Sequence, residues 1–200
     1  TRLIVPIGEW VLLEACREAM NWPEHVRVAV NVSGEQLLEP HFNASVVSAL
    51  SQSGLLPSRL EIEVTESIFL RDATQARAAL EHVMALGCRV ALDDFGTGYS
   101  SLGYLRKLRF STIKVDRSFV QGAATGNPES LAIIRAVVAM ADSLDMSTTA
   151  EGAETEKEVE MIRQLGCRKI QGYYFGRPMS AKDAQALFRN RAYLNKQTAA

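Results

Sequence analysis

The sequence predicts an α/β fold: a parallel sheet curling into a modified (β/α)8, TIM-like barrel, with about six of its eight strands present in this chain. Three observations carry that expectation. Short apolar, β-branched runs alternate with helical patterns along the whole chain, as helical crossovers between parallel strands require. Asn31, Glu63, Asp93, Lys114, Glu151 and Gln171 stand at or near the C-terminal ends of six successive strands, and barrel strand ends converge on one mouth. The residue two positions earlier on the same face is small in four cases, Ala29, Ala91, Thr112 and Thr149, as a crowded barrel interior demands. An open doubly wound sheet is the competing closure, but it gathers ligands at one switch point, which six strand ends cannot all reach. Glu61, beneath Glu63, is the one large charged exception.

In chain order, Pro6-Ile7 leads into a helix whose apolar face carries Trp10, Leu13, Ala15, Cys16 and Met20 and which ends at Trp22-Pro23. The alternation from Val26 to Val32 is a strand. A helix follows from Glu35 or His41 to Ser51, broken by Pro40. Leu60 to Thr65 is the next strand, and a helix from Ala73 to Leu86 stops at Gly87. Val90 to Leu92 is a buried strand ending on Asp93-Asp94. The loop beyond holds Gly96, Thr97, Gly98, Tyr99, Ser100 and Ser101, and a short helix covers Leu102 to Leu108. Thr112 to Asp116 is a strand, Gly122 to Pro128 a loop of small residues, and Glu129 to Leu144 a long helix. Ser147 to Ala150 is a strand, Glu156 to Leu165 a helix, Lys169 to Gln171 a short strand and Ala181 to Arg189 the last helix. Leu86-Gly87-Cys88-Arg89 and Leu165-Gly166-Cys167-Arg168 repeat one helix-to-strand turn.

The 200 residues suit one domain, and 47% apolar with 22% charged residues is a globular composition. A net charge of -1 offers no attraction for a nucleic-acid polymer or an anionic membrane. Cys16, Cys88 and Cys167 are an odd set in apolar contexts, which reads as buried free thiols in a reducing compartment. No signal peptide or membrane-spanning run is present, and the start at Thr1, amid an apolar segment, reads as a piece cut from something longer.

An isolated Asp-Asp pair is better explained by a helix cap or an Asx turn, and Glu63 is as well explained by an edge charge, Lys114 by a snorkelling cation and Glu151-Gly152 by a turn. Their common placement at strand ends argues otherwise. Glu63, Asp93, Glu151 and the Asn31 amide oxygen form a hard, oxygen-rich set, with Asp94, Asp116 and Glu154 adding acids. So many acids in one mouth repel one another unless cations sit among them, and one or two Mg²⁺ or Mn²⁺ ions answer that need. Lys114 can hold or polarise an attacking water. Read from residues alone, the sequence predicts a divalent-metal phosphoester enzyme on a barrel.

Asn31-Val32-Ser33, Glu63-Val64-Thr65-Glu66, the run Asp93-Asp94-Phe95-Gly96-Thr97-Gly98-Tyr99-Ser100-Ser101-Leu102, Ile113-Lys114-Val115-Asp116-Arg117-Ser118-Phe119, Ala150-Glu151-Gly152-Ala153-Glu154-Thr155 and Gln171-Gly172-Tyr173 resemble, in order, the motifs of bacterial EAL domains. The resemblance runs from Pro6 to about Phe188. It implies a cyclic-di-GMP phosphodiesterase that yields linear pGpG in bacterial second-messenger signalling. It implies that Asn31, Glu63, Asp93, Asp94 and Glu151 hold metal, that Lys114, Glu151 and Asp94 act in catalysis, and that Gln171, Asp116 and Glu154 lie on the substrate side. Glu66 is expected to anchor the loop from Phe95 to Ser101.

Glu14-Ala15-Cys16 is not the family's Glu-Ala-Leu triplet. That triplet, its metal-binding Glu and the first two strands are expected upstream of Thr1, leaving an unpaired edge beside Val28–Val30 and a fragment inactive by itself. The alternative reading is a catalytically inactive module that senses cyclic-di-GMP; a nucleotide-free scaffold would carry these acids without return. Residues 1–190 are expected to form the domain and 191–200 a tail. The resemblance further implies a homodimer through helices flanking the Asp93–Ser101 loop, sensory or GGDEF domains in the parent protein, and a cytoplasmic domain without membrane contact of its own.

Overall fold

The sheet order is the sequence order. In a computed structural model that describes residues 3–96 and 102–189, six strands lie side by side in one sheet, each parallel to its neighbours. They are β1 (Val28–Asn31), β2 (Leu60–Thr65), β3 (Arg89–Phe95), β4 (Thr112–Val115), β5 (Ser147–Ala150) and β6 (Lys169–Ile170). An order that never reverses has no switch point, so this is a half-barrel and not a doubly wound sheet, as expected from the polar strand ends. The helices are α1 (Ile4–Ala19), α2 (Gly34–Leu37), α3 (Phe42–Ser53), α4 (Ile68–Ala85), α5 (Leu102–Lys107), α6 (Arg117–Ala124), α7 (Pro128–Ser143), α8 (Glu156–Gln164) and α9 (Ala181–Arg189).

Strand alternation divides the side chains between two faces. Leu60, Ile62 and Val64 of β2, Val90 and Leu92 of β3, and Ile113 and Val115 of β4 are buried in the main core. Each such side chain contributes roughly 1.5–3 kcal/mol by leaving water. The residues of opposite parity line the concave face. Glu61 finds its reason there: its carboxylate accepts from Arg89 Nε at 3.0 Å and from Ser111 Oγ at 3.2 Å, and Arg89 is its register partner on β3. A large acid is tolerated inside the barrel because a cation is threaded beside it.

Local chemistry accounts for where the elements depart from the sequence expectation. Pro40 separates α2 from α3, and α2 opens with a capping box in which Ser33 and Gln36 satisfy each other's backbone N–H. The helix expected from Ala73 begins earlier, at Ile68, but Asp72 breaks it with φ −147° and ψ 90°, and its carboxylate caps Thr74 and Gln75. β1 starts at Val28, two residues later than expected, because buried Arg59 takes the carbonyls of Ala19 and Val26 at 2.7 and 2.9 Å, with Pro23 at 3.2 Å. The loop expected from Gly122 to Pro128 is shorter than that, because Arg117 to Ala124 form α6, capped by Asp116. The three cysteines are free and buried, as expected. Thr97 to Ser101 and the tail 191–200 lie outside the described residues.

Candidate active site

Lys114 is the hub of the barrel mouth. It is the third residue of β4, 4% exposed, and points into the concave face. Its Nζ lies 2.6 Å from Glu63 Oε2, 3.1 Å from Asp93 Oδ2 and 2.6 Å from Glu151 Oε1. Four elements meet here: β2 brings Glu63, β3 Asp93, β4 Lys114, and the residue just past β5 brings Glu151. The parallel register sets the levels, with Asn31 opposite Glu63 and Lys114 opposite Thr149.

Simple alternation would send Asp93 and Asp94 to opposite faces of β3. The β3–β4 register shifts between Leu92 and Phe95, and Asp94 adopts a left-handed φ of 52°. This bulge turns both acids toward the mouth, a device common beside active sites, and Asp is one of the few residues to enter that conformation readily. One carboxylate oxygen from each of Asp93, Asp94 and Glu151 then lies within 4.8 Å of the others.

The charges do not balance. Among the described residues, four carboxylates (Glu63, Asp93, Asp94, Glu151) face one ammonium there. Burial raises the Glu63 and Glu151 carboxyls above the usual range despite their bonds to Lys114. Burial and the neighbouring Asp93 and Asp116 charges raise Asp94 likewise. Burial pulls the Lys114 ammonium down, but its hydrogen bonds to Glu151 and Glu63 outweigh that and hold it charged above its ordinary range. A hard oxygen set with surplus negative charge fits a divalent cation.

The other residues singled out by sequence lie around this centre. Asn31 is exposed at the end of β1. Glu66 is buried, and its carboxylate accepts from Gly96 N–H at 3.4 Å, at the root of the loop it was expected to anchor. Gln171 continues β6, its backbone bonded to Ala150 and Ala153, and its exposed side chain lines a cleft of about 690 Å³ with Ala29, Glu63, Lys114, Thr149 and Phe175. Asp116 and Glu154 stand apart from the Lys114 hub in their bonding: Asp116 caps α6 through Ser118, and Glu154 accepts from Arg117 Nη2 at 2.6 Å. Sequence reasoning passed over Arg117, Phe175 and α6. An Asp followed at once by a polar, amphipathic stretch was the available helix signal for α6.

The EAL domain family model matches residues 1–178. The chain is 44% identical over 190 residues to the bifunctional diguanylate cyclase/cyclic di-GMP phosphodiesterase MucR of Pseudomonas aeruginosa, covering 93% of this chain and 28% of that protein. It is 36% identical over 182 residues to the cyclic di-GMP phosphodiesterase PdeR of Escherichia coli, covering 90% and 27%. The chain thus spans about a quarter of the length of the curated relatives it matches. Among solved structures, the PaMucR phosphodiesterase in complex with c-di-GMP aligns with TM-score 0.86 at 43% identity, covering 91% of this chain and 75% of that one. The EAL domain of Mycobacterium smegmatis DcpA aligns with TM-score 0.85 at 35% identity, covering 94% and 86%. A manganese/c-di-GMP complex of Klebsiella pneumoniae BlrP1 aligns with TM-score 0.77 at 29% identity, covering 88% and 44%.

Proposed function

The chain belongs to the EAL domain family, and from that membership we propose that it hydrolyses cyclic-di-GMP to linear pGpG with the help of divalent metal. The observation that carries the reading is the convergence of Glu63, Asp93 and Glu151 on Lys114, with Asp94 turned into the same mouth. Asn31, Glu63, Asp93, Asp94 and Glu151 would hold one or two ions, Mg²⁺ or Mn²⁺. When bound, such ions supply Lewis-acid polarisation of the phosphoryl oxygens and a water acidic enough to attack at neutral pH.

The chain's own residues do the rest. Lys114 stays charged and offers three N–H donors, all directed at carboxylates here. With metal held by those carboxylates, its donors would be available to hold the attacking water. Glu151 takes the proton that water loses. The water oxygen forms its bond to phosphorus as the P–O3′ bond breaks in line, and the 3′ oxygen leaves as an alkoxide that takes its proton from solvent, giving a 5′-phosphate and a free 3′-hydroxyl. Gln171 contacts substrate from the β6 side of the cleft, and Glu66 steadies the loop at Gly96; from family membership Asp116 and Glu154 are assigned to the substrate side as well.

The domain is taken to end near residue 190, with 191–200 a tail, and to work as a cytoplasmic homodimer fused to sensory or GGDEF domains. Among the described residues no helix is long and apolar enough to cross a membrane.

The test is incubation of this chain, and of a version extended upstream, with cyclic-di-GMP and Mg²⁺ or Mn²⁺, followed by chromatography. Linear pGpG from the extended form, abolished by Glu63→Ala, is the expected result. Saturable binding without product would replace this reading with that of a sensor module, and neither binding nor product would end both.

A further inference from the structure

We infer that Arg117 is a positioning residue for Glu151, acting through Gly152 and Glu154. Arg117 is the first residue of α6, directly after the helix cap Asp116. Its guanidinium is held from two sides. Glu154 Oε1 accepts from Nη2 at 2.6 Å, and the Gln121 amide, turned with its oxygen toward the guanidinium, accepts from Nε at 2.8 Å and Nη2 at 2.9 Å. Gln121 belongs to α6 itself, whereas Glu154 lies on the loop between β5 and α8, so the arginine ties helix to loop.

Between those anchors its methylenes lie across Gly152. Gly152 has φ +76°, and a Cβ there would overlap the Arg117 side chain. The glycine is therefore needed twice, for its left-handed backbone and for the space the arginine fills. Gly152 directly follows Glu151, whose carboxylate bonds Lys114 and shares the mouth with Asp93 and Asp94. Hydrogen bonds already fix the loop's ends: Glu151 N–H to the Val115 carbonyl, Ala153 N–H to the Gln171 carbonyl, and Glu154 N–H to the Glu158 carboxylate of the α8 capping box. None of those bonds involves Gly152, and that peptide sets the direction of Glu151. Arg117 covers it.

The pair is half exposed at both ends, so its loss should leave global stability nearly intact while freeing Glu151 to wander. Partners one step removed from metal ligands typically matter about 10–100-fold in metal affinity or activity.

For its kinetic arm this inference rests on the phosphodiesterase reading, and its Mn²⁺ arm does not. The experiment uses the full-length protein and titrates Mn²⁺ by electron paramagnetic resonance beside steady-state hydrolysis of cyclic-di-GMP. Arg117→Ala and Glu154→Gln should each weaken Mn²⁺ binding and lower kcat about tenfold, and Arg117→Ala should leave KM within about twofold. The double variant should be no worse than either single one, and Arg117→Lys should recover most of the loss. Unchanged Mn²⁺ affinity in both single variants, or losses that multiply in the double variant, would overturn the inference. Wild-type protein that binds Mn²⁺ without hydrolysis would end the phosphodiesterase reading alone, and the Mn²⁺ comparison would still decide the role of Arg117.

Discussion

Replacing Lys114 by Met should cost far more in the absence of metal than in its presence. Lys114 is 4% exposed and bonds three carboxylates at 2.6, 3.1 and 2.6 Å. Methionine has similar length but no charge, so it leaves Glu63, Asp93 and Glu151 facing one another in a buried mouth. Removing one partner of a buried ion pair costs about 3–5 kcal/mol. Three contacts to one ammonium do not add, because the crowded acids can relieve themselves by taking up protons. We therefore expect about 3–5 kcal/mol in chelator at about pH 8, not three times that. Protonation sets the pH dependence. Glu63 and Glu151 already sit above their ordinary 4.5, and loss of Lys114 removes an influence that lowers them. A carboxyl raised in the folded state binds more protons folded than unfolded, so the penalty is full above its folded value and fades as pH falls toward 4.5. Mn²⁺ should shrink the penalty at high pH by supplying the missing positive charge. Urea denaturation of both proteins, at about pH 8 and about pH 5, with chelator and with Mn²⁺, reads all of this. A cost below about 1 kcal/mol in chelator at about pH 8 would refute the claim that the ammonium holds the site together.

Arg59→Met removes the donor shared by the carbonyls of Ala19, Val26 and Pro23, and should cost about 2–4 kcal/mol by urea denaturation, whereas an exposed arginine such as Arg77 should cost under about 0.5 kcal/mol. Gly172→Ala sets a Cβ against the Ala153 carbonyl, so it should lower stability by about 1–3 kcal/mol and weaken cyclic-di-GMP binding by displacing Gln171, checked by thermal melts and calorimetric titration. Burial pushes the Cys16 and Cys88 thiols up to about 11 and raises Cys167, so at about pH 8 all three should react with a disulfide reagent only after denaturant is added; fast reaction of the folded protein would contradict their burial.

Much of this was legible in the sequence, and for a physical reason. Strand periodicity is local, so Leu60–Thr65 and Ser147–Ala150 could be bounded to the residue, and the strand ends that carry Glu63, Asp93, Lys114 and Glu151 followed from parity alone. Membership of the EAL family was legible for the same reason, because the motifs are contiguous runs. What the sequence could not fix was whatever depends on contacts between distant segments. Glu61 looked anomalous until Arg89, 28 residues on, lay beside it. Asp94 could join Asp93 only through a register shift against β4 and a left-handed backbone, which no periodicity encodes. Arg117 had no role of its own in the Ile113–Phe119 motif until tertiary structure set it across Gly152 and against Glu154, 37 residues away. The sequence determined which chemical groups stand at the barrel mouth; the fold alone decided which of them share one cation or one neighbour, because those pairings are made through space.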